Sequence, residues 1–128
     1  MAAYNAPLAA NETRELRLMI NRTAMEYDVP PALVHRVVTR ESRYRPTARN
    51  GSYYGLMQIA PQTARTMGYQ GPAGQLLDAK TNLEYGVKYL RGAWLVSDGS
   101  FDKAVSWYSR GYYYEAKRRG LLEEAGLR

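Results

Sequence analysis

One carboxylate in this sequence stands where chemistry could be done. Val34, Val37, Val38 and Glu41 fall at i, i+3, i+4 and i+7, so on a helix Glu41 continues the apolar stripe and faces inward or into a cleft. Glu41 also lies in the last turn of the helix predicted over Pro30 to Tyr44, where the negative end of the helix dipole disfavours another negative charge. Partial burial acts in the same direction, and both raise the pKa toward that of a general acid working near neutral pH. The competing reading is a glutamate paired with Arg40, Arg43 or Arg45, a common fate of surface carboxylates.

Composition closes most other routes. There is no cysteine and a single histidine, which sets aside thiol nucleophiles, disulfide frameworks, zinc fingers, redox pairs and His-based triads. His35 sits beside Val34, off the centre of the stripe, and reads as a surface or satisfied residue. No metal site and no cofactor are expected. The 128 residues carry 18 Lys+Arg against 12 Asp+Glu, a net charge of +6, which implies attraction to a polyanion such as nucleic acid, an anionic envelope surface or an acidic wall polymer. No helix-turn-helix spacing or RNA-binding motif supports nucleic acid as a partner. No stretch approaches the roughly 20 apolar residues of a membrane-spanning helix. Glu12, Arg14, Glu15 and Arg17 stand where a signal peptide would need an apolar core, so the sequence reads as a mature or trimmed domain.

The elements that must position Glu41 are helical. Residues 1–10 are small, weakly patterned and interrupted by Pro7, and are expected to form a flexible arm ahead of one domain over 11–128. Leu16, Ile20, Ala24 and Tyr27 mark a first amphipathic helix. Pro30 and Pro31 suit the first turn of the second, and Pro46 stops it. Pro46, Gly51 and Gly55 make 45–60 a loop with a short extended piece over 53–59. A short helix over 62–67 precedes Gly/Pro punctuation at 69–77. Asp78 caps a helix reaching Val96, Ser100 caps one over 101–109, and a last helix spans 112–119 before Gly120. The fold expected is mainly α, a single domain with at most a short β-like loop.

Read together, Glu41-Ser42, Pro46, Gly55-Leu56-Met57-Gln58-Ile59, Pro61 and Thr63-Ala64 form an ordered pattern. Leu77-Asp78, Asn82-Leu83, Gly86, Tyr89-Leu90, Ala104, Trp107-Tyr108 and Gly111 continue it in register. The pattern resembles the soluble-type lytic transglycosylase family, whose catalytic domain is like goose-type lysozyme, over roughly residues 25–115. The resemblance implies a lysozyme-like fold and cleavage of the β-1,4 bond between N-acetylmuramic acid and N-acetylglucosamine in peptidoglycan. It makes Glu41 the catalytic acid, puts Gln58 beside it in the cleft, and sets Tyr108 at the tyrosine of a Tyr-Asn-x-Gly motif. Ser42, Asn50, Gly55 and Ser109 join them as substrate-binding candidates, Gly55 by letting backbone approach the sugar.

The implied mechanism uses one glutamate, first as acid on the leaving oxygen and then as base on the 6-hydroxyl of the muramic acid, leaving a 1,6-anhydro end. Ordinary glycosidases flank the bond with two carboxyls, whereas no second acid belongs to the motifs around Glu41. Asp78 reads as a helix cap, Asp98 as a turn residue and Asp102 as a first-turn acid, with Glu84 a candidate only by exclusion. Twelve tyrosines against one phenylalanine suit sugar rings, since tyrosine offers a flat apolar face with a polar rim. Tyr53, Tyr54, Tyr108 and the run Tyr112 to Tyr114 are expected along a glycan groove, at most two of the run facing it, while Tyr85, Tyr89 and Trp94 read as core. Trp107 fits either place.

The chain departs from the family pattern at Ser109, where asparagine is usual, at Ala60, where methionine is common, and at Asn50, near a usual serine. Hydrolysis of the same bond by a muramidase, and a non-catalytic peptidoglycan-binding or secretion-assembly module, remain open beside transglycosylation. The expected setting is the periplasm or cell envelope, or a phage or secretion apparatus breaching the wall, with the protein a monomer and glycan strands its partner.

Overall fold

The computed structural model, which describes residues 2–128, has six helices and a two-stranded hairpin. They are α1 (Arg14–Glu26), α2 (Pro31–Ser42), β1 (Arg49–Asn50), β2 (Tyr53–Tyr54), α3 (Pro61–Thr66), α4 (Ala79–Leu95), α5 (Phe101–Arg110) and α6 (Tyr113–Arg118). The mainly α expectation holds, and the β-like loop is an antiparallel pair with Arg49 opposite Tyr54 and Asn50 opposite Tyr53. A 3-10 turn over Ala73–Leu77 occupies the segment expected to be punctuation only.

The caps fall where hydroxyl and carboxylate side chains can accept a free amide. Thr13 accepts from Leu16 N, Asp78 from Thr81 N and Ser100 from Lys103 N, each satisfying one orphan donor of a first helical turn. The long helix α4 is central and packs on α1 and α5. Leu33, Leu56, Leu83 and Leu90 are wholly buried in the main core, each removing apolar surface worth about 1.5–3 kcal/mol from water.

Residues 4–7 of the arm are held against α1 and α2. Asn21 Nδ2 donates to the Tyr4 carbonyl, Arg17 donates to the carbonyls of Ala6 and Pro7, and the Tyr4 ring stacks on His35 at 4.3 Å. These partners come from α1 and α2, which a reading of residues 1–10 alone does not reveal. His35 is the satisfied kind of buried histidine: its Nδ1 pairs with Tyr44 Oη at 2.8 Å and its Nε2 with Asn21 Oδ1 at 3.0 Å.

Burial holds the His35 pKa down at about 4, against the pull of Glu12, with Arg17 adding to the depression. The unfolded chain therefore binds a proton near pH 6.5 that the folded chain refuses until about pH 4. Stability is complete above the upper value and is lost as pH falls through the window, at about 1.4 kcal/mol per pH unit. Urea unfolding from pH 7 to 4 should show this limb, and His35→Gln should flatten it even if the variant is weaker at pH 7. An unchanged slope would remove His35 as its cause.

Candidate active site

Helix α2 delivers Glu41 from its last turn and stops one residue later. Arg43 and Tyr44 both take the left-handed conformation, at φ 52° and 63°, and the Arg43 amide closes the helix on the carbonyls of Val38 and Thr39. Tyr44, expected inside the helix, is instead buried with its hydroxyl on His35, so tertiary pairing sets the helix end. The Glu41 side chain is 23% exposed. Burial raises its pKa, and the Arg40 guanidinium, 3.9 Å away and half in solvent, opposes the shift without cancelling it.

The loop over 55–59 forms the floor. Gln58 has φ 48° and is locked there by its own side chain, whose Nε2 donates to the carbonyls of Ala48 and Gly55 at 3.1 and 2.9 Å. Its Oε1 accepts from Asn50 Nδ2 at 2.9 Å, which ties the hairpin to the floor. Beneath it lies Asn82 of α4, fully buried. Its Oδ1 accepts from the Met57 amide at 2.8 Å, and its Nδ2 donates to the carbonyls of Tyr54 and Leu76 at 2.7 and 2.8 Å. One amide side chain thus bonds three backbone groups, and two of them, the Met57 amide and the Leu76 carbonyl, would otherwise be buried unpaired.

The facing wall comes from α5. Tyr108 donates its hydroxyl to the Met57 carbonyl at 2.7 Å. Burial, reinforced by the negative charge of Glu41, pushes its pKa well above the ordinary phenol value, so the hydroxyl stays a donor. Ser109 Oγ accepts from Arg40 Nη1, a bridge from α5 back to α2 across the opening.

These side chains enclose an open cleft of about 320 Å³. Glu41, Asn50, Gln58, Tyr108 and Ser109 line it together with Arg40 and Tyr53, and among the described residues Glu41 is its sole carboxylate. Tyr53, Gln58, Tyr108 and Ser109 also line an adjoining hollow of about 220 Å³ that runs on to Arg110 and Gly111. The cleft therefore brings together one desolvated acid, two amides, two hydroxyls and an exposed tyrosine, a set suited to hydrogen-bonding sugar hydroxyls and N-acetyl groups.

Two expected contacts lie elsewhere. Ser42 is buried, its hydroxyl spent on the Val38 carbonyl one turn back, because a residue next to Glu41 on a helix points about 100° away. Gly55 is also buried and does not face the cleft: at φ 74° its missing side chain points at Asn82 Nδ2 and the Leu76 carbonyl, which an added Cβ would meet at 2.4 and 2.7 Å. The glycine serves the floor's approach to α4, not a sugar's approach to the floor.

Of the tyrosines expected along the groove, Tyr53 and Tyr108 line it, whereas Tyr54 is buried under the Arg49 guanidinium. Tyr112 is buried against Gly92 of α4, whose lack of a side chain leaves room for the ring. Arg40 and Asn82 are the contributors whose roles the sequence reading missed. Asn82 did leave a signal, a polar residue on the apolar stripe of α4, one turn before Gly86.

A helical domain presenting one partly buried carboxylate in an amide-lined and tyrosine-lined groove has the build of a lysozyme-like, glycan-cleaving protein. Residues 18–120 match the family model of the Transglycosylase SLT domain, and the chain belongs to that family. Membership brings with it the lysozyme-like fold and a peptidoglycan substrate.

Proposed function

We propose that the protein is a peptidoglycan lytic transglycosylase that cuts the MurNAc-β-1,4-GlcNAc bond with Glu41 as its single catalytic carboxyl. The observation that carries this reading is the cleft itself, where Glu41 is raised in pKa and, among the described residues, no second carboxylate lines the walls. Two-carboxyl glycosidases hold their acids about 5–9.5 Å apart across the bond. Asp102, set aside from sequence as a first-turn acid, is exposed and paired with Arg36, and Asp98 pairs with Arg119.

In the mechanism, protonated Glu41 gives its proton to the glycosidic oxygen as the bond from C1 to that oxygen breaks. The substrate's own N-acetyl oxygen bonds C1 and takes the place of an enzyme nucleophile. Glu41, now a carboxylate, removes the proton of the muramic acid 6-hydroxyl, whose oxygen attacks C1 and displaces the acetyl oxygen. The proton balance closes on Glu41 and no water is consumed. Gln58, Asn50 and Ser109 supply donors and acceptors for the sugars on either side, while Tyr108 holds the floor and keeps a neutral hydroxyl beside the acid. A peptidoglycan substrate supports a site of action in the cell envelope.

Mass spectrometry of fragments released from purified peptidoglycan tests the reading. The expected products carry 1,6-anhydro ends, about 18 Da lighter than the reducing ends of hydrolysis. Reducing ends would make the protein a muramidase, and no release by wild type, with glycan still bound, would make it a binding module.

A further inference from the structure

The concavity does not stop at Gly111. Arg110 and Gly111 also line a larger groove of about 570 Å³ on the outer side of α5 and α6, with Trp107, Tyr113 and Tyr114. Its lining is mostly apolar, and Tyr113 and Tyr114 are 44% and 80% exposed, more aromatic surface than folding alone explains. The two tyrosine rings meet edge to face, 5.2 Å apart at 89°. They form a corner, not the flat platform on which a pyranose ring stacks.

The face of Trp107 is covered by the Arg110 guanidinium at 4.1 Å, which further removes it as a sugar platform and fixes the cation in place. Among the described residues Arg110 has no carboxylate within ion-pair distance, whereas Glu115, the groove's one acid, is bound by both Arg118 and Arg119. The groove therefore joins an apolar corner to an uncompensated guanidinium, and it is continuous with the cleft through shared walls.

We infer that this groove binds the acidic stem peptide of the same peptidoglycan strand whose glycan lies in the Glu41 cleft. The inference rests on the proposed function for the glycan. A peptide carboxylate fits Arg110, its aliphatic carbons fit the tyrosine corner, and no sugar ring is required there.

The test uses the full chain carrying Glu41→Gln, so that ligand survives, with nuclear magnetic resonance titration. The probes are a free acidic stem tetrapeptide and a peptidoglycan tetrasaccharide with and without its peptides. The free tetrapeptide should shift resonances of residues 107–118, including the Trp107 indole, and adding Arg110→Gln should weaken it about tenfold. The peptide-bearing glycan should bind about tenfold tighter than the bare one, and Tyr114→Ala should erase that difference.

Equal affinity for the two glycans, or shifts at Trp107 caused by bare glycan, would overturn the inference. So would a tetrapeptide that leaves 107–118 unmoved. Failure of the cleft reading looks different: bare glycan would leave Gln58 and Tyr108 unshifted and wild type would release no fragments, whatever the tetrapeptide does.

Discussion

Glu41→Gln should lower turnover of peptidoglycan by about 10²–10⁴-fold, the range that positioned proton transfer supplies. The amide matches the carboxyl in shape but can neither give the proton to the leaving oxygen nor take one from the 6-hydroxyl. The same substitution should stabilise the fold at neutral pH. Burial raises the Glu41 pKa above 4.5, so its favourable contribution is complete below that value and is lost as pH rises through the folded pKa. Removing the charge should return about 0.5–2 kcal/mol at pH 7 and nothing near pH 4. Activity of the wild type should fall as pH rises through the raised value, because the acid must begin protonated. Parallel urea melts and a pH profile of kcat/KM measure both sides. A variant that keeps turnover would remove Glu41 from the chemistry, and one no more stable at pH 7 than at pH 4, relative to wild type, would remove the strained-acid account.

Asn82→Ala should be a strongly damaging truncation of the scaffold. It deletes one acceptor and two donor contacts and leaves the Met57 amide and the Leu76 carbonyl without partners, while the Tyr54 carbonyl keeps the Ile59 amide. Each buried orphan costs about 1–3 kcal/mol, so a total loss of about 2 kcal/mol or more is expected. Asn82→Asp should not rescue it, since the acceptor survives but both donors go and a charge is buried. Because the Met57 carbonyl is also the acceptor for Tyr108, the loss should reach the cleft as faster hydrogen exchange in 55–59 and reduced kcat. A urea midpoint shift worth under about 1 kcal/mol would show that water replaces the side chain.

What the sequence made legible is what periodicity and caps encode locally. The stripe of α2 put Glu41 at the boundary of the core, and Asp78 and Ser100 marked helix starts through their own side chains. What stayed hidden depends on partners far along the chain. Ser42 and Gly55 lie beside cleft residues in sequence, but their directions are set by helix rotation and by Asn82, 27 positions beyond Gly55. Tyr112 is indistinguishable from Tyr113 and Tyr114 until Gly92 opens a place for one ring. The arm at Tyr4 is held by Arg17, Asn21 and His35, and nothing in its own ten residues announces that.

The lock at Gln58 carries a consequence for how this chain can change over generations. The backbone there sits at φ 48°, a conformation glycine adopts freely and other residues reach at a cost, yet three hydrogen bonds demand a long amide side chain. Glycine would ease the backbone and drop the clamp, glutamate would lose both donors, and asparagine would tolerate the backbone but fall a methylene short. Every neighbouring choice meets one requirement by failing the other, so position 58 is mutationally isolated, and drift in this part of the cleft must be carried by Tyr53 and Ser109 around it.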